Sequence, residues 1–390
     1  MSGAKQIDLS VILVNYNVAP LVVQAVASLE RQAFAGPDGS DGRLEILVID
    51  NASDPEDVEC LEPLQPSVVL LRSDRNVGFA AASNQGIERA TGRYLCFLNP
   101  DTRVLDGALE CLLQYCYRHP EVGAVGPRIW ADDERTLLIP PGDPPTLSFL
   151  LGQIVAAAVP SVGAGYSRRW HRRAMTVWRS PTPLRVPTLS GACILTPRAV
   201  IDRVGGFDPG YFLYWEDMDW YRRVRLAGYQ LASVPGAEIV HYYNQSAKLD
   251  PQGAHGHALR SQARFVKAHY GLPGTLLYRK TQAMGDRLTR WRPPAAPSGM
   301  IDLGRLEEPP RLRVTGAKPP GELAIQIGYD WLFVPSATAF VREADYQLSS
   351  STWDRMQPGR YYARALDAET LRPLGLWSWV KEEGAHRGKG

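Results

Sequence analysis

Cysteine is scarce in this 390-residue chain, and Cys60, Cys96, Cys111, Cys116 and Cys193 make no Cys-x-x-Cys pair and no His/Cys cluster. That excludes a cysteine-based metal or redox motif and leaves buried thiols in a reducing compartment as the expectation. Net charge is almost absent at +2, so the basic excess of a general nucleic-acid binder is missing. The longest mostly apolar run, residues 147–162, is too short and too interrupted by Ala, Gly and Pro to read as a membrane span. The first ten residues are polar and the apolar stretch after them has only the length of a strand, so no signal peptide is read and a cytoplasmic protein is expected. No internal repeat is visible. One sign of charge also vanishes locally: no acidic residue lies between Asp143 and Asp202, where Arg168, Arg169, Arg172, Arg173, Arg179, Arg185 and Arg198 all fall.

What the chain has is 45% hydrophobic residues, enough at this length for a large core and more than one domain. Its organising stretch is Tyr94-Leu95-Cys96-Phe97-Leu98-Asn99-Pro100-Asp101. The apolar part reads as a buried strand of an α/β sheet, with Asn99 and Asp101 just beyond the end at which such sheets bind ligands. Pro100 ends the strand and fixes the turn that presents Asp101, although Asn-Pro-Asp alone reads equally well as a plain turn. Upstream, Leu9 to Val14 ends at Asn15-Tyr16-Asn17, and Leu44 to Ile49 ends on Asp50-Asn51-Ala52-Ser53. Val68 to Leu71 leads into Arg75-Asn76-Val77-Gly78-Phe79 and a small-residue helix holding Asn84 and Gly86. Amphipathic helices through Leu21, Val22, Ala25, Val26 and Leu29 and through Leu109, Leu112, Leu113 and Cys116 complete strand, loop and helix units of a nucleotide-binding half.

Val122 to Ile129 reads as a further strand, and Trp130 to Pro187 has no clean periodicity. Thr188 to Leu195 reads as a strand, followed by Gly205-Gly206-Phe207-Asp208 and an aromatic, acidic run from Tyr211 to Arg223. The end of that run is helical, with Asp219, Arg222 and Arg223 at i, i+3 and i+4 and Gly228 as its stop. Tyr229 to Val240 reads as strand pairs ending on His241, and Ala254 to His269 as a closing helix. The expected domains are residues 1–290 (nucleotide-binding half about 8–130, second half about 186–270), a Pro-rich linker over 291–320, and an all-β accessory domain over 321–390. That last domain reads as a small sandwich with no identifiable chemistry.

Seven segments taken in order resemble the inverting glycosyltransferases of family 2, within them the rhamnosyltransferase-like branch. They are Ser10-Val11-Ile12-Leu13-Val14-Asn15-Tyr16-Asn17, Val48-Ile49-Asp50-Asn51-Ala52-Ser53, Asn76-Val77-Gly78-Phe79-Ala80, Leu98-Asn99-Pro100-Asp101, Ser190-Gly191-Ala192, Gly205-Gly206-Phe207-Asp208 and Trp215-Glu216-Asp217-Met218-Asp219. The resemblance covers roughly residues 8–270 and makes about 186–270 the acceptor-side half. It implies an α/β fold of the GT-A type, Rossmann-like, with a mostly parallel central sheet flanked by helices, to which the C-terminal all-β domain is added.

The resemblance places Asn15, Asn17, Asp50, Asn76, Gly78, Asn84 and Asn99 on the donor side. A pyrimidine ring N–H suits a carboxylate such as Asp50 at a strand end; a cap for the following helix is the plainer reading. Asn76 and Gly78 open a helix whose free N–H groups and close backbone approach suit a nucleotide. Departure of a diphosphate asks for a hard divalent cation, Mn or Mg. The family holds it by an Asp-x-Asp motif and often a later His; here Asn99 replaces the first Asp, leaving Asp101 and His241 as the implied ligands. Asp217 matches the family's base, with Glu216 in support and Trp215, Asp219 and Gly191 on the acceptor side. An acidic first turn of a helix is the alternative for Glu216, Asp217 and Asp219.

The implied partners are a dTDP- or UDP-linked sugar, rhamnose by the branch resembled, and a glycan or lipid-linked glycan of cell-envelope polysaccharide biosynthesis, with no nucleic acid. The apolar and basic residues 147–185 read either as a peripheral contact on the inner face of the membrane or as a solvated subdomain. Two rival functions stand beside the enzyme: a catalytically silent nucleotide-sugar binder, for which Asn99 speaks, and a carbohydrate-binding protein acting through its C-terminal domain.

Overall fold

The computed structural model describes residues 6–242, 251–291, 298–314 and 321–382. The chain divides into two compact units, one of Met1–Ile129, Pro141–Leu147 and Arg179–Leu277, the other of Trp130–Pro140, Ser148–Trp178 and Tyr278–Gly390. The boundary expected at residue 290 therefore falls differently. Two segments from the aperiodic stretch group with the C-terminal strands, not with the nucleotide-binding half.

The first unit is built on nine strands: β1 (Leu9–Asn15), β2 (Leu44–Asp50), β3 (Val69–Arg72), β4 (Tyr94–Leu98), β5 (Thr102–Val104), β6 (Val122–Trp130), β7 (Leu184–Arg185), β8 (Cys193–Pro197) and β9 (Gln230–His241). Their order is β3-β2-β1-β4-β8-β6-β9-β5, with β7 on β9. β3, β2, β1 and β4 run parallel, whereas β8 pairs antiparallel with β4 and β6, and β9 antiparallel with β5 and β7. The sheet is thus mixed rather than mostly parallel. The first four strands are joined by crossovers of the length that parallel pairing demands. β8 instead follows a long excursion and enters beside β4 from the opposite direction.

Every residue of β1 is buried, as a strand covered on both faces requires. Helix Phe79–Arg89 packs on β1 and β2, and helix Ala108–Arg118 on β8 and β9. An aromatic core follows: the rings of Phe97 and Phe207 meet edge-on at 4.8 Å, and Phe207 lies 5.9 Å from Trp220. Such large buried rings fix residues 205–221 on the sheet, which is what positions the acidic turn within them.

Where Tyr229 to Val240 reads as strand pairs, the structure has the single strand β9. Pro235-Gly236 is a turn signal in sequence. Here Pro235 falls between the residues paired with β7 and those paired with β5, where its missing N–H costs nothing to either. The closing helix runs over Pro251–Trp291 and is broken at Gly271, whose φ of 60° suits glycine alone.

In the second unit, the aperiodic stretch holds helices Leu147–Ala158 and Pro160–Trp178. The latter buries Trp170, His171, Ala174, Met175 and Trp178 and exposes Arg168, Arg169 and Arg172. The C-terminal strands form one five-stranded sheet, not a sandwich, in the order Ile301–Leu306, Pro373–Lys381, Gly359–Asp367, Leu323–Gly328, Ala337–Val341. A separate ribbon pairs Arg311–Arg313 with Asp345–Gln347. Two strands thus lie inside the stretch expected as a linker, and Pro309 and Pro310 only punctuate between them. Within this unit the Arg364 guanidinium donates to Gln326 Oε1 at 2.7 Å and lies 3.0 Å from the ring nitrogens of His171. Burial, and then the neighbouring Arg364, push His171 down to about 3.

Candidate active site

The C-terminal ends of β1 and β2 lie side by side, with Asn15 opposite Asp50. Asn15 is fully buried. Its Nδ2 lies 3.0 Å from Asp50 Oδ1, 3.0 Å from Ser53 Oγ and 2.7 Å from Asp57 Oδ2, three acceptors for two hydrogens, and its Oδ1 accepts from the Val18 N–H at 3.3 Å. Asn17, with φ 54°, accepts from the Asp54 N–H at 2.7 Å. These two residues therefore knit the β1 and β2 loops together. Asp50 is not the helix cap, since Asp54 occupies the N-cap position of helix Pro55–Glu59 and the Ser53 N–H reaches Asp50 Oδ2 only at 3.4 Å.

The next loop is held reciprocally. Asn76 Oδ1 accepts from Asn51 Nδ2 at 2.9 Å and from the Gly78 N–H at 3.0 Å, while Asn51 Oδ1 accepts from the Val77 N–H at 2.9 Å. Gly78 opens helix Phe79–Arg89 at φ 85°, and a Cβ there would stand 2.4 Å from the Phe212 carbonyl oxygen, so glycine is required twice over. Asn84 departs from the expectation of a donor contact. Its Nδ2 donates to the Phe207 carbonyl at 2.7 Å and its Oδ1 accepts from the Phe207 N–H at 2.9 Å, which commits the carboxamide at both ends to the Gly206-Phe207 turn.

Beyond β4, the Asn99 N–H donates to the Ala192 carbonyl at 2.9 Å. β5 then sets Thr102 opposite His241. His241 Nε2 comes to lie 3.1 Å from Asp101 Oδ1 and 3.5 Å from Asn99 Nδ2, and both Asp101 and His241 are buried. Carboxylate oxygen and imidazole nitrogen at this spacing match two neighbouring ligands of one octahedral cation, for which about 3 Å is expected from bonds near 2.1 Å. Among the described residues no cluster of three or more His, Cys, Asp or Glu has metal-binding geometry. A cation here would take its remaining ligands from phosphate oxygens and water, as Mg²⁺ commonly does.

The acidic turn lies at the start of helix Glu216–Leu226, entered through two successive left-handed residues, Tyr214 (φ 65°) and Trp215 (φ 70°). Such backbone is costly for bulky side chains and persists only where packing imposes it; here the Trp215 ring packs on Phe265 at 5.1 Å. Burial pushes both Glu216 and Asp217 well above the ordinary carboxylate range, Glu216 further because the Asp217 carboxylate adds to it. Glu216 Oε2 is buried without a hydrogen-bond partner, which suits a neutral carboxyl. Asp217 Oδ1 accepts from the Met218 N–H at 2.7 Å. Its Oδ2 faces Gly191, where a Cβ would stand only 2.8 Å away. Asp219, expected on the acceptor side, is occupied otherwise: it accepts from His269 Nε2 at 2.7 Å and Arg223 Nε at 2.8 Å. Burial raises its pKa, but those two bonds outweigh it and hold the carboxyl below its usual range.

Tyr214 was not read from the sequence. Its phenol is pushed up by burial, then by Glu216 and Asp101, so it stands within the field of both acidic groups. One residue in an aromatic run gave no signal of that.

Residues 10–204, half of the chain, match Glycosyl transferase family 2. The chain belongs to this family. N-acetylglucosaminyl-diphospho-decaprenol L-rhamnosyltransferase of Mycobacterium tuberculosis is 29% identical over 259 residues, 62% of this chain and 78% of that protein. O-antigen biosynthesis protein RfbC of Myxococcus xanthus is 26% identical over 219 residues, 53% of this chain and 15% of that protein. The structure of GalNAc-T7 with UDP, GalNAc and Mn2+ is similar with a TM-score of 0.49 at 17% identity, over 73% of this chain and 54% of that chain. Family membership makes this chain a glycosyltransferase, and the helix-flanked mixed sheet with separate C-terminal strands accords with the GT-A fold that the family implies. No helix among the described residues is long and apolar enough to cross a membrane.

Proposed function

We propose that this family 2 enzyme passes a sugar, rhamnose by its similarity to the mycobacterial protein, from a dTDP- or UDP-linked donor to a hydroxyl of a glycan or lipid-linked glycan by a single inverting displacement. The observation that carries the reading is the Glu216-Asp217 pair, the first member buried and the second half-buried, with Asp217 pointing an oxygen at Gly191 across a gap too small for a side chain. A carboxylate raised toward neutrality by burial is suited to take a proton at neutral pH. Asp217 accepts the acceptor hydroxyl proton as that oxygen bonds to the anomeric carbon, the bond from that carbon to the diphosphate oxygen breaks, and the electron pair leaves with the nucleotide. Glu216 stays protonated and leaves Asp217 as the ionised member of the pair. Asp50, Asn76 and Gly78 line the strand ends that would receive the nucleotide, and the polar network of Asn15 and Asn17 keeps those ends rigid. Asp101 and His241, with Asn99 beside them, would hold a divalent cation, which supplies charge neutralisation for the departing diphosphate. A cytoplasmic enzyme meeting its acceptor at the inner membrane face is the setting this requires.

Calorimetric titration with dTDP, UDP, GDP and CDP, each with and without Mn²⁺, tests the donor site. Binding of dTDP or UDP that depends on Mn²⁺ and is lost in Asp101→Ala supports the reading. Turnover abolished in Asp217→Asn with nucleotide binding intact completes it. Nucleotide binding with no turnover under any acceptor would favour the silent binder, for which Asn99 in place of an Asp is the supporting observation.

A further inference from the structure

Exposed large apolar side chains gather on one element. On the helix that follows Gly271, Leu272 is 70% exposed, Leu276 and Leu277 49% each, Met284 54% and Trp291 82%. The same turns expose Arg279, Lys280, Arg287 and Arg290 against a single carboxylate, Asp286. Tyr278, Thr281 and Gly285 are buried on the other side. A Cβ at Gly285 would stand 2.7 Å from Ile154 Cγ2, so that side rests against helix Leu147–Ala158. At about 100° per residue, Leu272, Leu276, Lys280, Arg287 and Arg290 project away from the buried side, with Leu277 and Met284 along one flank.

This changes where a lipid surface would be met. The apolar helix Leu147–Ala158, in the stretch for which a membrane contact is one of two readings, has no large hydrophobic side chain among the exposed ones, and part of it is covered by the helix just described. Exposed leucines and a methionine gathered among basic side chains on one helix mark an interaction surface. A second copy of the chain would bring four cations against four others, whereas anionic headgroups would neutralise them while the leucines enter the acyl boundary. We propose that residues 272–291 lie in the plane of an anionic bilayer surface, apolar side chains inward and basic side chains at the headgroups. The inference deepens the reading of a lipid-linked acceptor and rests on it for its purpose.

The test is co-sedimentation of the full chain with phosphatidylcholine vesicles and with vesicles in which part of that lipid is replaced by phosphatidylglycerol. Partition is expected on the anionic vesicles only, falling as salt is added. Arg287→Ala with Arg290→Ala should weaken it about 30-fold, at about 1 kcal/mol for each basic residue near the surface. Leu272→Ser with Leu276→Ser should weaken it at least ~10-fold through lost apolar burial. The same exchange at Arg168 and Arg172 should leave it unchanged. Thermal unfolding of each variant verifies that these exposed exchanges leave the fold intact. No partition on anionic vesicles, partition indifferent to both pairs, or a dimer dispersed by the leucine exchanges without vesicle binding would overturn the proposal. Transfer to a water-soluble acceptor analogue separates the two readings: present without vesicle binding, only the membrane face falls; absent with vesicle binding, only the transferase reading does.

Discussion

Gly191→Ala isolates the orientation of the proposed base. Gly191 does not have a positive φ, so alanine meets no backbone penalty there and the whole effect is steric. Its Cβ would be placed 2.8 Å from Asp217 Oδ2, whereas ordinary contact begins at 3.4 Å, so the carboxylate must retreat by about 0.6 Å. The Met218 N–H bond to the other oxygen limits how it can turn. If a displacement near 1 Å costs about 100-fold in a reacting geometry, this one should cost roughly tenfold in kcat. Steady-state transfer kinetics, nucleotide titration and thermal unfolding are measured on one preparation: kcat falls, while nucleotide Kd and Tm hold. In the Asp217→Asn background the exchange should cost nothing further, because the group it displaces is already inactive. An unchanged kcat, or full additivity with Asp217→Asn, would refute the reasoning and make Gly191 part of the acceptor wall alone.

The acid limb of kcat/KM should lie well above the usual carboxylate value of about 4, because the base must be ionised and burial raises Asp217; Asp217→Asn should cost about 10² to 10⁴ in kcat while Glu216→Gln, which mimics a neutral carboxyl, retains most of the rate. Asn84→Ala should destabilise the protein by about 1–3 kcal/mol through its two lost bonds to Phe207, seen as a lower Tm, with nucleotide Kd unchanged; a selective loss of nucleotide binding would restore the donor role. His171 is depressed to about 3 from an ordinary value near 6.5, so between those values the unfolded chain holds a proton that the folded chain does not. Stability should therefore be full above pH ~6.5 and fall on acidification by up to about 1.4 kcal/mol per pH unit, a slope flattened in His171→Gln and followed by urea unfolding.

The parallel half of the fold was legible because its strands are buried on both faces and end abruptly on Asn or Asp: β1, β2 and β4 show this in the bare sequence. The antiparallel half was not. Its pairings join residues far apart, such as Phe97 with Ile194 and Thr102 with His241, and no local pattern specifies them. Pro235 and Pro309 misled in opposite ways, one lying inside a strand and the other between two strands taken for a linker. The exposed face of residues 272–291 was hidden for a related reason: apolar periodicity reports a stripe, and a stripe facing solvent has the same spacing as one facing the core.

The candidate site separates residues that sequence alone treats as equals. Asn15 ends a strand, Asn76 precedes a helix and Asn84 sits in the middle of that helix, and each is a reasonable nucleotide contact by type. What distinguishes them is how their hydrogen-bonding capacity is spent. Asn84 has both ends committed to one backbone turn, and Asn15 is fully buried with its amide shared among three acceptors. Asp219 and Asp217 divide in the same way within one helical turn. The first is ion-paired with Arg223 and hydrogen-bonded by His269, while the second has no such partner cation among the described residues, is raised by burial and faces a glycine. A paired carboxylate has its charge stabilised and resists accepting a proton; a desolvated one accepts it more readily. On the proposed reading the motif Trp-Glu-Asp-Met-Asp supplies a base and a brace from chemically identical side chains, and the difference between them is set by Arg223 and by His269, fifty residues beyond Asp219.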